Sequence, residues 1–229
     1  MAHDGQTLDM TNITILTDLT TLTSASVDPI ETLFATAKTA LRHRVSVDGK
    51  VSASLIDANQ TAAHGVAWLA TYVESLRQMN KWAQHLSANG SFGEVEQLIL
   101  QISFGEYLNQ IMGGIPMSQG EIIRPHEYGL TPADLTAAQT DPVVTLMTYG
   151  NTQAARMRLV ELMQEQAANI TVGHSGLDEE LEMIREQFRK FSIDKVIPHA
   201  HEWHLKDELI PMDIIEELAE LGVFGLTIP

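Results

Sequence analysis

Apolar residues recur at helical spacing along most of the chain, and strand-like alternation is nearly absent. In the longest pattern, from about residue 51 to residue 87, apolar or small residues follow one another at intervals of three and four. This period of 3.5 predicts one long helix with a single apolar seam. The seam consists of Leu55, Ala58, Ala62, Gly65, Leu69, Tyr72, Leu76, Met79, Ala83 and Leu86. It could drive coiled-coil dimerisation, but its small residues favour packing within the chain, against a closely approaching helix.

Further helices are predicted on both sides of the seam. Asp28 and the proline after it suit a helix start, and the cations up to Arg44 suit its end. A third helix is expected over about 92–112 and a short capped one from Thr131. A last one is expected over 142–170. The sequence therefore predicts an all-α fold, a helical bundle whose members are mostly antiparallel.

The C-terminal part shows a second helical pattern. Its apolar stripe has acidic residues off it, which is typical of an amphipathic helix. The stripe consists of Leu181, Ile184, Phe188 and Phe191. We expect Pro198 to break this helix, Pro211 to open another and Gly222 to end it.

Charge and composition suggest where the chain divides. The 229 residues carry a net charge of −16, and residues 177–229 alone hold 13 of the 30 acidic side chains. With this step in composition we expect three parts. Residues 1–27, rich in Thr, Ser and Asp, could form an extended edge segment, but we favour a mobile one. A helical extension follows over 28–172, and the first helices of another domain follow over 173–229.

Composition also limits the possible functions. The negative charge argues against a broad interface with nucleic acid or an anionic membrane, although a few local cations could still hold the phosphates of a CoA thioester. The absence of cysteine excludes disulfides, Cys-ligated zinc, iron–sulfur clusters and thiol nucleophiles, and it fits a cytoplasmic protein. No apolar run approaches the ~20 residues that span a bilayer, and no secretory signal pattern is present.

A group of histidines near Pro198 could suggest a metal site. Histidines three residues apart can share a helix face, and imidazole suits zinc or copper. The candidates are His199, His201 and His204 with Glu202 and Asp207. Because a proline interrupts the helix there, we favour surface or capping histidines, and no metal.

Two other patterns have a structural and a functional interpretation. Glu179, Glu180, Glu182 and Glu186 could form an acid–base pair, but a charged solvent face is the usual explanation. The glycine-containing stretch at 113–126, with Arg124 and His126, could hold a phosphate. Its glycines Gly113, Gly114 and Gly120 match no phosphate-binding motif, so a plain helix–helix connection is favoured, irregular over residues 115–130.

The last 53 residues resemble a known family. Residues 177–229 read LDEELEMIREQFRKFSIDKVIPHAHEWHLKDELIPMDIIEELAELGVFGLTIP. An acidic amphipathic helix ending near a proline, a proline-led second helix, a Leu-Gly turn and an extended Gly-Leu-Thr-Ile-Pro segment follow in that order. This order resembles the opening of the acyl-CoA dehydrogenases. It is carried by Phe188, Pro198, the stretch 199–203, Pro211, Leu221, Gly222 and the stretch 225–229.

The residues before this segment are similar to an extension found in one branch of that family. The stretches HGVAWLATYVESLRQMNKW and TDPVVTLMTYGNTQAARMRLV resemble the helical N-terminal extension of bacterial (2S)-methylsuccinyl-CoA dehydrogenases. The pattern stops at Pro229, so we expect the chain to be the front of a larger enzyme. We also expect the extension to pack on the dehydrogenase body and cover surface that shorter relatives use in tetramer assembly.

The resemblance implies FAD-dependent α,β-dehydrogenation of an acyl-CoA substrate. In the family a glutamate removes the α-proton while the β-hydrogen passes as hydride to FAD. Methylsuccinyl-CoA would give mesaconyl-CoA in the ethylmalonyl-CoA route of acetyl-CoA assimilation. An electron-transferring flavoprotein would accept the electrons, and a homo-oligomer is expected.

The resemblance places no catalytic residue in this chain. In the family the base and the flavin contacts come from a β-barrel-like middle domain and a C-terminal four-helix bundle. We therefore expect no catalytic, cofactor-binding or metal-binding residue here, and no activity from these 229 residues alone. Two alternatives stay open: a non-catalytic helical scaffold or interaction module, and a dehydrogenase for a different acyl-CoA.

Overall fold

The chain forms two compact units, Met1–His174 and Ser175–Pro229 (unit 1 and unit 2). The computed structural model describes residues 14–166 and 172–225. Nearly all regular structure in these residues is helical, so the predicted all-α class is confirmed. None of the described helices is both long and apolar enough to cross a membrane.

Unit 1 is a bundle of helices with two small hairpins. Its helices are α1 (Leu19–Arg44), α2 (Ala53–Ala58), α3 (Gln60–Ala88), α4 (Glu94–Gly113), α5 (Pro132–Ala138), α6 (Asp141–Tyr149) and α7 (Gln153–Glu165). The antiparallel hairpins are β1 (Ser46–Val47) with β2 (Lys50–Val51), and β3 (Ile115–Ser118) with β4 (Glu121–Ile123). The main core lies between α1, α3, α4 and α6. Its fully buried side chains include Ile30, Leu69, Leu76, Phe104, Leu108, Tyr128 and Leu146.

Helix α1 begins nine residues before the predicted start at Asp28. Thr and Ser in its first turns are poor helix formers, so the local pattern favoured a mobile segment. Tertiary packing reverses that preference. Thr23 and Ser26 are buried, and the hydroxyls of Thr23 and Ser24 both donate to the Asn80 Oδ1 of α3, over 3.2 and 3.0 Å. The predicted mobile segment is therefore wrong for residues 19–27, and residues 1–13 lie outside the described residues.

The long helix predicted over 51–87 is interrupted. Residues 50–51 form β2, and α2 ends at Ala58; the side chain of Asn59, which follows it, donates to the Leu55 carbonyl oxygen over 2.8 Å. From Ala62 onward the seam is mostly buried inside unit 1. The close approach at Gly65 involves no helix. A Cβ there would lie 2.7 Å from the Ile123 side chain and 3.0 Å from that of Tyr128.

Two further expectations about unit 1 were wrong. Residues 115–123, expected to be irregular, form the β3–β4 hairpin, which has a bulge between Pro116 and Ser118. The helix expected over 142–170 is two helices as far as residue 166, because Gly150 ends α6 and Thr152 caps α7 by accepting from the Ala155 N–H over 3.1 Å; residues 167–170 lie outside the described residues.

Helix α4 holds the N-terminal end of the described chain. The Gln101 side chain is fully buried. Its Oε1 accepts from the Leu16 N–H over 2.8 Å, and its Nε2 donates to the Thr14 carbonyl oxygen over 2.7 Å. Because an amide both donates and accepts, one side chain satisfies both backbone groups. Ile15 packs beside them on a second apolar cluster of Val95, Leu98, Ala155 and Leu162.

The described part of unit 2 consists of three α-helices, a π-helical turn and a 3-10 turn at Val223–Gly225. The first four elements are α8 (Glu179–Phe191), the π turn at Ser192–Val196, α9 (Ile197–Leu205) and α10 (Met212–Glu220). Pro198 does not break the helix as expected. It lies in the first turn of α9, and the Ile197 N–H donates to the Ser192 carbonyl oxygen one residue further back than in an α-helix. The π turn thus lets the chain stay helical into a residue that lacks an N–H.

Candidate functional site

The histidine group of unit 2 does not assemble into a metal site. His199, His201 and His204 are all exposed. The ring of His199 packs on that of Trp203 with centroids 5.7 Å apart, and Glu202 instead pairs with Lys206 over 2.5 Å. Within residues 14–166 and 172–225, no three His, Asp or Glu side chains come together in a way that could hold a metal ion.

The acidic residues of α8 pair with arginines of the same helix. Glu182 forms a salt bridge with Arg185 over 2.6 Å, and Glu186 forms one with Arg189 over 2.8 Å, both at a spacing of three residues. Glu179 and Glu180 are exposed in the first turn. There a negative charge suits the helix dipole. Exposed pairs of this kind contribute about 0–1 kcal/mol each, so this surface is a solvated helix face.

The glycine-containing stretch uses its arginine to close the β3–β4 hairpin. The Arg124 guanidinium donates to the Gly113 carbonyl oxygen, and the Arg124 N–H donates to the Glu127 Oε2 over 2.6 Å. Gly114 has φ +133°, and a Cβ there would lie 2.7 Å from the Arg124 Nη1. These contacts fix the hairpin base and leave the guanidinium engaged by its own chain.

The shifted pKa values in unit 1 have structural causes. Hydrogen bonds from Arg158, at 2.8 and 2.9 Å, lower the pKa of the exposed Glu94. Hydrogen bonds from Thr131, at the start of α5, likewise lower the pKa of Asp134. Burial raises the pKa of Tyr72, whose hydroxyl donates to the Gln110 Oε1 over 2.5 Å. Each group is explained by a helix cap, an ion pair or the core.

A small cleft lies within unit 2, between α9 and α10. It has a volume of about 340 Å³ and is lined by Asp194, Lys195, His199, Trp203, Pro211, Asp213, Ile214 and Glu217. Its lysine is paired with Glu217 over 3.0 Å. With three carboxylates and one already paired ammonium, the cleft is poorly suited to a phosphate or pyrophosphate group.

Unit 2 exposes many of its large apolar side chains. Ile214 is the only side chain below a tenth exposed in the described part of this unit. Leu209 is 92% exposed, Leu205 71% and Ile197 64%. We call the set of exposed residues the apolar surface of unit 2: Leu177, Leu181, Met183, Ile193, Ile197, Leu205, Leu209, Ile210, Met212 and Phe224.

The residues of this surface are apolar, and none of them carries a group that could take part in proton or hydride transfer. Helices with one strongly apolar face are stable when that face is buried, and extended exposed apolar patches usually mark an interaction site. Of the predicted stripe of α8, Leu181 is exposed, whereas Ile184, Phe188 and Phe191 are half-buried. A periodic pattern shows which residues share a face and not what covers that face.

Two comparisons with known proteins found similar sequences. Residues 178–229 match the family described as acyl-CoA dehydrogenase, N-terminal domain. The chain is also 56% identical over 220 residues to a (2S)-methylsuccinyl-CoA dehydrogenase from Cereibacter sphaeroides. That match covers 96% of this chain and 39% of the relative, so the chain spans about two fifths of the relative's length. The resemblance predicted from the sequence is confirmed, in the last 52 residues and in the extension.

Proposed function

We propose that this chain is the N-terminal part of an FAD-dependent acyl-CoA dehydrogenase that oxidises (2S)-methylsuccinyl-CoA to mesaconyl-CoA. The observation that carries the proposal is the similarity of the whole chain, extension included, to a dehydrogenase with that substrate in its name. The match of residues 178–229 alone would support only the wider family. We further propose a cytoplasmic homo-oligomer that passes its electrons to an electron-transferring flavoprotein.

The described cleft of unit 2 does not suit the pyrophosphate of FAD. The cleft of unit 2 is acidic, and its lysine is already paired with Glu217. The pyrophosphate of FAD needs backbone N–H groups or free cations instead. As the family resemblance implies, we propose that the flavin contacts and the catalytic base come from another part of the enzyme, and we assign no step of the reaction to the residues present here.

The apolar surface of unit 2 supports this assignment. Within its described residues unit 2 buries Ile214 and leaves its other large apolar side chains half-buried or exposed. It therefore gains little hydrophobic free energy of its own, since stabilisation scales with apolar area removed from water. Unit 1, by contrast, buries a contiguous core of more than twenty side chains. We propose that the rest of the dehydrogenase covers the apolar surface of unit 2 and completes its fold.

The first experiment is denaturing mass spectrometry of the protein purified from cells that make it. We expect a species well above the 25.3 kDa of this chain. It should copurify with FAD and oxidise methylsuccinyl-CoA with an artificial electron acceptor.

The other outcomes separate the alternatives. A single 25.3 kDa species without flavin would contradict the proposal and favour a non-catalytic helical scaffold or interaction module. A longer flavoprotein that oxidises a different acyl-CoA, and not methylsuccinyl-CoA, would keep the family and overturn the substrate.

For the extension we propose a role in assembly. Helix α7 buries Ala155 and Leu162 but leaves apolar side chains on its outer side, with Met157 54%, Val160 46% and Met163 45% exposed. A helix that is apolar on two sides is typical of the interior of an assembly. We propose that this outer side packs on the dehydrogenase body, over surface that shorter relatives use to form tetramers.

Removing residues 1–170 from the longer protein tests this role. We expect the truncated enzyme to change its assembly state, as measured by light scattering on a sizing column, and to unfold at a lower temperature. A matched variant with Met157→Gln and Val160→Gln keeps the extension but makes its outer side polar, and it should shift both measurements in the same direction. An unchanged assembly state and Tm would rule out the role.

A further inference from the structure

The connector that leads to unit 2 begins with residues 172–174, which pack against and hydrogen-bond to the helices of unit 1. Val172 packs on the second apolar cluster, against the side of α4 that also receives Ile15. Gly173 follows with φ +78°, and a Cβ there would lie 2.9 Å from the Glu96 Oε1 and 3.2 Å from the Val95 side chain. A left-handed backbone with no space for a side chain indicates close packing rather than a loose tether.

A buried carboxylate holds the next residue. Glu96 is 3% exposed and lies in the first turn of α4. Its Oε2 accepts from the Gly93 N–H over 3.0 Å, and its Oε1 accepts from the His174 N–H over 2.7 Å. Hydrogen bonds to an ionised acceptor are about twice as strong as neutral ones, and a buried carboxylate needs them to replace water.

An indole holds the other side of the same residue. The Trp82 Nε1 donates to the His174 carbonyl oxygen over 3.1 Å, and its ring packs edge-on against Phe92 with centroids 6.3 Å apart. Both backbone groups of His174 are therefore satisfied by side chains, one from α3 and one from α4.

The residues after His174 form hydrogen bonds within unit 2 instead of with α3 and α4. The Ser175 hydroxyl donates to Glu182 on α8 and accepts from the Leu177 N–H over 3.2 Å, so these contacts lie within unit 2. Gly176, between them, has φ +74°.

We propose that Glu96 and Trp82 form a latch that fixes the connector through His174 to unit 1 and confines any hinge to residues 175–177. The latch would make the extension a fixed base for the chain that follows, instead of a domain on a flexible linker. Opening it would free residues 172–174 and lengthen the linker without unfolding the bundle. The inference rests on contacts inside unit 1 and stands whether or not the proposed function is correct.

Hydrogen exchange of backbone amides tests the latch directly. In the unaltered protein we expect the His174 amide to exchange slowly although its residue is exposed. Glu96→Gln offers one acceptor oxygen where the carboxylate has two, so the exchange of peptides covering 172–176 should accelerate at least tenfold. Trp82→Phe keeps an aromatic ring but loses the indole N–H that donates to His174. It should accelerate amide exchange in the same peptides while leaving the Gly93 cap of α4 intact.

Matched variants on the same helices serve as controls. Glu94→Gln removes an exposed carboxylate two residues from Glu96, and Trp68→Phe removes an indole donor that bonds only His64, over 2.9 Å. Neither should change exchange at 172–176. Fast exchange at His174 in the unaltered protein would overturn the latch. So would equal acceleration of the connector and the core of α3 in Trp82→Phe, because that result would mean general unfolding.

Discussion

Replacing Gly105 by alanine is expected to lower the free energy of unfolding of unit 1 by about 3 kcal/mol, the upper end of the usual cost of overpacking. Gly105 lies on α4 where α6 ends. A Cβ there would lie 2.6 Å from the Asn151 backbone nitrogen and 3.0 Å from both the Gly150 carbonyl carbon and the Leu146 carbonyl oxygen. All three atoms belong to the backbone. No side-chain rotation can relieve the contact, so the helices must separate.

The separation would also break a hydrogen bond that joins the two helices. The Asn109 Nδ2 donates to the Gly105 carbonyl oxygen over 2.8 Å and to the Met147 carbonyl oxygen of α6 over 2.7 Å. The second of these bonds crosses between helices and depends on their distance. Denaturant unfolding followed by circular dichroism should show a lower midpoint with an unchanged slope.

Gly113→Ala is the control for this prediction. Gly113 is the last residue of α4, and no atom lies within 4 Å of a Cβ built there. Alanine should therefore be neutral, or stabilise by about 0.5 kcal/mol through the unfolded chain. If Gly105→Ala behaves like Gly113→Ala, then α4 and α6 do not approach as closely as the structure shows.

Some helices could be predicted from the sequence, and other features of the fold could not. Apolar periodicity located α4, α8 and α10 within a few residues, because each helix carries its own stripe. The start of α1 and the break at Asn59 were missed. The start of α1 depends on hydroxyls that donate to Asn80, more than fifty residues away, and the break at Asn59 lies within an apolar pattern that continues on both sides of it.

The buried polar residues of α4 show a similar limit for the latch. Glu96 and Gln101 interrupt an apolar run of Val95, Leu98, Ile99 and Ile102, and that interruption is the signal that sequence reasoning did not use. Their partners are 78 and 85 residues distant along the chain, so no local spacing could identify them. Conversely, the histidines near Pro198 formed a local pattern that the structure does not bring together.

Unit 1 should also lose stability at alkaline pH through Tyr128. This side chain is fully buried, and its hydroxyl has no hydrogen-bond partner within the described residues. Burial raises the pKa of Tyr128 from its usual value of 10.0 to about 12, with a smaller contribution from the charge of Glu127. Ionisation in the folded state would place a phenolate in the core, next to Ile123 and α3.

The direction in which stability changes with pH follows from the protons that the folded and unfolded states bind. Below pH 10 both states keep the proton, and stability is unaffected. Between pH 10 and about 12 the unfolded chain releases a proton that the folded chain retains, so stability falls as pH rises. The loss should reach about 1.4 kcal/mol at pH 11 and about 2.3 kcal/mol at pH 12, at 1.36 kcal/mol per pKa unit, because half of the folded molecules are ionised at pH 12.

Tyr128→Phe isolates this contribution from that of Tyr72, whose pKa burial also raises. At pH 8 the variant should be as stable as the original or more stable by about 1 kcal/mol, because removing an unpaired buried hydroxyl removes a desolvation cost. From pH 8 to pH 11 it should lose about 1.4 kcal/mol less than the original chain. Urea unfolding at both pH values measures the difference, with Tyr149→Phe as the matched variant at a partly exposed site. Equal losses in the original and in Tyr128→Phe would show that the phenol ionises as it does in water, and that Tyr128 is not buried as the structure shows.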